Sequence, residues 1–88
     1  MYEGLLAKAE TALAQIEALA ASGWPPAESI ARQLRWCIAF VSGQPREECP
    51  GPFSMGLIAT RELDMYGDMP ELANLINQVQ REIESALA

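Results

Sequence analysis

Residues 68–88 read DMPELANLINQVQREIESALA, and the order of apolar and polar residues in this stretch decides the fold class. Met69, Leu72, Ile76, Val79, Ile83 and Ala86 recur at alternating spacings of three and four. That spacing follows one face of an α-helix and is incompatible with the two-residue alternation of a half-buried strand. Asn74, Asn77, Gln78, Gln80, Arg81, Glu82 and Glu84 fall between the apolar positions and are expected to face water. Asp68 precedes the run, Pro70 follows in the first turn, and Glu71 stands three residues past Asp68. This matches the Asp form of a capping box, in which two side chains satisfy backbone N–H groups that the first turn leaves free.

Toward the N-terminus, the segment from about Phe53 to Tyr66 places Met55, Ile58, Ala59, Glu62, Leu63 and Tyr66 at helical spacing, and Gly67 ends it. Gly56 inside it costs about 1 kcal/mol against alanine, which predicts close approach of a neighbouring helix there. The stretch from Gln44 to Pro52 contains Pro45, Pro50, Gly51 and Pro52 and sustains neither helix nor central strand. Glu47 and Glu48 are its charged pair.

Before that loop, a segment begins at Pro25 or Pro26, where proline suits a helix's first turn, and runs to about Ser42, with Gly43 after it. Ala27, Ile30, Leu34, Cys37, Ile38 and Val41 form its main stripe, and Gln33, Trp36 and Phe40 a second one beside it. Arg32 and Arg35 occupy the remaining face, so this helix is expected to be central. The first segment, from about Tyr2 to Ser22, aligns Leu5, Leu6, Ala9, Leu13, Ile16, Leu19 and Ala20. Gly23 stands where a left-handed cap is expected, and Trp24-Pro25-Pro26 forces an extended break. Trp24 reads as a loop plug in preference to a binding anchor. The expectation is an all-α fold: a single domain over residues 1–88, a compact bundle of about four helices.

Composition bounds the function. The chain has 88 residues, 50% of them apolar, with 6 basic and 12 acidic residues and a formal net charge of −6. The length suits one domain, and the apolar fraction is too high for a disordered chain. The acidic balance repels phosphate backbones and anionic lipid, so neither nucleic acid nor membrane is an expected partner, whereas a basic protein surface is the natural complement. Met1-Tyr2-Glu3-Gly4 has no basic stretch before an apolar one, so no signal peptide is expected and a reducing cytoplasm is the expected location. Cys37, in an apolar helical run, reads as a small buried hydrophobe, while Cys49 lies in the Pro-rich loop and reads as a free thiol.

Catalytic chemistry finds little support. The chain has no histidine to act as the general base of a nucleophilic triad or to complete a zinc site with the cysteines. The richest carboxylate group is Glu62, Asp64, Asp68 and Glu71. On a helix, Glu62 and Asp64 diverge by about 200°, so a cap and a solvated face explain this group better than a metal site. No catalytic residue, metal or cofactor is expected. Recognition is better supported. Met65 and Tyr66, framed by Asp64 and Asp68, combine an apolar contact with charge complementarity. The alternative at Tyr66 is a ring packed on the core with only its hydroxyl in water.

The stretch from Ser29 to about Leu75 resembles the small helical immunity proteins of bacterial type VI secretion. The resemblance is carried by Ser29, Gln33, Leu34 and Trp36. It is stronger in Ser54-Met55-Gly56-Leu57-Ile58-Ala59-Thr60-Arg61-Glu62-Leu63-Asp64, where Gly56, Ile58, Ala59, Glu62 and Asp64 match, and Pro70-Glu71-Leu72 opens the final helix alike. The turn around Met65-Tyr66-Gly67 is longer than in that family, and the loop from Gln44 to Pro52 is richer in proline. The resemblance implies a non-catalytic cytoplasmic protein that binds a cognate effector toxin, one that hydrolyses NAD(P) or otherwise targets nucleotides, and occludes its active site. The expected contact residues are Glu47, Glu48, Glu62, Asp64, Met65, Tyr66 and Asp68. The competing readings are a non-enzymatic helical adaptor or regulatory homodimer and, from the acidic group, an enzyme using a divalent ion.

Overall fold

The computed structural model describes residues 2–43, 52–65 and 67–87. Helix α1 spans Glu3–Ala20, α2 Pro25–Val41, α3 Met55–Ala59 and α4 Pro70–Leu87. Between α3 and α4 the chain makes a π-helical turn, Thr60–Met65. The described residues contain no strand, and the fold is all-α.

Each boundary has a local cause. Trp24 sits at φ −79°, ψ 110°, the extended conformation that a following proline imposes, and Pro25 occupies the first helical position of α2. Gly23, at φ +83°, closes the end of α1, and its N–H donates to the Ala20 carbonyl at 2.9 Å. Trp24 itself is half-buried against the core, as a loop plug would be.

The apolar periods meet in one core. Leu5, Ala9, Ala12 and Ile16 come from α1, and Ala27, Ile30, Ala31, Leu34 and Cys37 from α2. Met55, Ala59, Leu63 and Phe53 come from the α3 region, and Leu72, Ala73, Ile76, Val79 and Ile83 from α4. The alanines on the facing sides of α1 and α2 are almost wholly buried, and small side chains let two helix backbones approach closely. Ala12, outside the expected stripe of α1, is fully buried, whereas Leu6, Leu13 and Leu19 are half-exposed at its edges.

Three expectations are corrected. First, α2 is not central. It packs on α1 and α3, while α4 packs on α1, α3 and the π turn, so the helices form a ring in which α2 and α4 are diagonal. In the second stripe of α2, Gln33 reaches the start of α3, while Trp36 stacks on Phe40 of the same stripe (centroids 5.5 Å apart) and tilts against Phe53 (5.7 Å). Second, the segment after Phe53 is not one continuous α-helix. The Gly56 carbonyl accepts from the Thr60 N–H, from Thr60 Oγ1 at 2.9 Å and from Asn77 Nδ2 at 3.3 Å. A threonine bonding back to the i−4 carbonyl loosens a helix, and here the α ladder gives way to the wider π turn at Thr60. Third, Asp68 and Glu71 do not form a capping box. The Ala73 N–H donates to the Met69 carbonyl at 3.1 Å, so Met69, immediately before Pro70, is the cap position. Neither carboxylate has a hydrogen-bond partner among the described residues, and both residues are exposed. Proline favours the first helical position, and that shifts the cap one residue beyond Asp68.

Candidate functional site

Helix α3 has only five residues and cannot hold itself by its own hydrogen bonds. Its start is held from both sides by amides. Gln33, buried on α2, accepts through Oε1 from the Ser54 N–H at 3.0 Å and the Met55 N–H at 2.9 Å. Its Nε2 donates to Ser54 Oγ at 3.1 Å and to Ser29 Oγ at 3.3 Å. From α4, Gln80 Oε1 accepts from the Gly56 N–H at 2.7 Å, and its Nε2 donates to the Phe53 carbonyl at 3.3 Å. Three N–H groups at the start of α3 are thus satisfied by side chains of two other helices, the task that a local cap residue ordinarily performs.

Asn77 completes the clamp. Its Nδ2 donates to Thr60 Oγ1 at 3.0 Å and to the Ala73 carbonyl at 2.9 Å, besides the Gly56 carbonyl. Asn77 and Gln80 are therefore half-buried, not outward-facing as their place off the apolar stripe suggested. Gly56 is what lets α4 come so close: a Cβ there would lie 2.5 Å from Asn77 Oδ1 and 2.9 Å from Gln80 Oε1. The close approach expected at this glycine is present. Among the described residues no buried side-chain nitrogen or oxygen lacks a partner.

The clamp fixes the inner side of the α3 region and leaves its outer side bare. Met65 is 67% exposed and Leu57 69% exposed. Asp64 and Asp68 are exposed, and neither is engaged by a described residue. The loop after the π turn folds back on it. The Met69 N–H donates to the Leu63 carbonyl at 2.9 Å, and a Cβ on Gly67 would lie 2.6 Å from the Glu62 carbonyl oxygen. That bond joins the residue before Asp64 to the residue after Asp68, so the two aspartates stand at the two sides of one closed loop. Glu62 behaves differently: it is half-buried, and its Oε2 accepts from Arg61 Nε at 3.0 Å. Of the expected contact residues, Asp64, Met65 and Asp68 are exposed, while Glu62 is half-buried and tied to its neighbour. Glu47, Glu48 and Tyr66 lie outside the described residues, as does Cys49.

Leu57 escaped the sequence reading because it lies off the Met55, Ile58, Ala59 stripe, where a leucine passes as unremarkable. Gln33 was placed beside the aromatic stripe, but its partner Ser54 stands 21 residues away in the chain, and no local pattern links them. Elsewhere, an open groove of ≈ 780 Å³ runs beside α1 and α2, lined by Glu17, Pro25, Glu28, Ser29, Arg32 and Arg35 among others. Across it Arg35 Nη2 donates to Glu17 Oε2 at 3.2 Å. Among the described residues no three Cys, Asp or Glu side chains gather as metal ligands, and no helix is long and apolar enough to cross a membrane. No family model matches the chain, and no curated protein and no solved structure matches it either.

Proposed function

We propose that this protein is a binding protein of the immunity type, which docks on a cognate type VI secretion effector toxin and covers its active-site cleft. The observation that carries the reading is the bare, acidic outer side of the α3 region set on a clamped inner side. Asp64, Met65 and Asp68 face solvent, while Met55, Ala59 and Leu63 behind them are locked into the core. A surface held in place before binding loses little freedom on docking. Aspartates without a partner among the described residues, on a chain of net charge −6, favour encounter with a basic cleft, such as one built to hold the phosphates of NAD(P) or another nucleotide. The resemblance of residues 29–75 to the immunity family points to the same partner. In this reading the protein acts by occupation alone and contributes no reactive group.

The test is co-expression with the gene immediately upstream, followed by co-purification and a toxicity assay in the same cells. A stable complex and rescued growth are expected. A stable homodimer that leaves the neighbouring gene product unbound and its toxicity undiminished would instead favour the adaptor or regulatory dimer.

A further inference from the structure

Large apolar side chains in the open are few among the described residues: Leu57, Met65 and Leu87. The first two belong to the same short segment, one on α3 and the other at the end of the π turn. Eight residues of α-helix would carry Met65 about 12 Å along the axis and about 80° past Leu57. The wider π turn advances less per residue in both rise and rotation, so it reduces both offsets and holds the two side chains on one side of the segment. Between them lies Arg61, whose charge is met by Glu62 at 3.0 Å. The charges left over at the edge of this side are Asp64 and Asp68.

We infer that Leu57 and Met65 form a two-point apolar anchor that seats in an apolar groove of the partner protein, with lysine or arginine on the groove's rim opposite Asp64 and Asp68. The inference rests on the toxin-binding reading above and names the part of the surface that carries it. Charge decides the occupant. A second copy would bring another chain of net charge −6 against this side, and like net charge opposes such a contact. An anionic lipid surface is opposed for the same reason. A basic protein groove satisfies both the apolar pair and the carboxylates. Central apolar residues inside a polar rim are the usual arrangement of a strong protein interface.

The experiment uses the full chain and a catalytically inactivated form of the toxin encoded immediately upstream, with affinity measured by calorimetry. Leu57→Ser combined with Met65→Ser is expected to weaken binding by at least about 30-fold, since two anchor side chains are removed. Leu57→Met combined with Met65→Leu keeps the apolar bulk and should bind within about 3-fold of the unaltered protein. Leu87→Ser, at the far end of α4, should leave binding unchanged. Both anchor sites are exposed, so circular dichroism should show all variants folded. If the unaltered protein binds the toxin and the double serine variant binds equally well, the anchor is overturned and the toxin reading stands. If the unaltered protein does not bind, the toxin reading falls and takes the anchor with it. A homodimer that the double serine variant dissolves would show that a second copy covers this side, which also overturns the inference.

Discussion

The inner side of the α3 region adds polar amides to the buried apolar residues Met55, Ala59 and Leu63, while its outer side sets exposed apolar residues among charges. Facing the rest of the molecule are the amides of Gln33, Asn77 and Gln80, and facing water are Leu57 and Met65. A helix held only by apolar packing could slide or rotate, because dispersion contacts have little direction. Hydrogen bonds to the Ser54, Met55 and Gly56 N–H groups specify one position. The comparison teaches that polar groups stand where geometry must be unique, whereas Leu57 and Met65 are left largely exposed.

The hardest way to break this contrast is from within. Gln33→Leu keeps the bulk but leaves the Ser54 and Met55 N–H groups without their acceptor, and a loss of about 2–4 kcal/mol in urea-monitored stability is expected. A loss under about 0.5 kcal/mol would mean that the clamp does not hold α3. From outside, Asp64→Lys combined with Asp68→Lys should leave stability nearly untouched while raising the Kd for the toxin by about 100-fold, mainly through slower association at low salt. Undiminished binding in calorimetry would move the interface elsewhere on the molecule.

Smaller effects sharpen the boundary between the two sides. Gly56→Ala gains helix propensity of about 1 kcal/mol but drives a methyl into Asn77 and Gln80, and a net loss of about 1–2 kcal/mol is expected in thermal unfolding. A stabilised Gly56→Ala protein would show that the α4 amides can move aside freely. Least of all, Asp68→Ala should shift stability by no more than about 0.5 kcal/mol, because Asp68 caps nothing. A drop of 1 kcal/mol or more, of the order of a lost N-cap, would restore the capping box.

The same contrast separates what was legible in the sequence from what was not. The helices α1 and α4, the break at Trp24-Pro25 and the cap at Gly23 are local signals and lie where the sequence places them, although in α1 the buried face is shifted toward Ala12. Gly56 also announced its neighbour. Asn77 and Gln80 did not, because an amide off the apolar stripe reads as solvated until its partner is known, and their partners lie 21 and 24 residues away. The π turn left no mark either: Thr60 and Leu63 fit an α period well, and the change comes from how donors converge on the Gly56 carbonyl. Asp68 and Glu71 show the opposite failure, a motif present in the sequence that does not form, because Pro70 takes the first helical position and makes Met69 the cap. At the surface, Asp64, Met65 and Asp68 were legible as a charged frame around an apolar residue, whereas Leu57 needed the structure to reveal its exposure.

The amide clamp has a physiological corollary. Carboxamides neither gain nor lose protons over the range a cell encounters, and they carry no net charge for dissolved ions to shield. The start of α3 therefore stays put through swings of acidity and osmolarity that would loosen an ion-paired support. The screening of the surface charges can then vary with the medium while the shape that carries them does not.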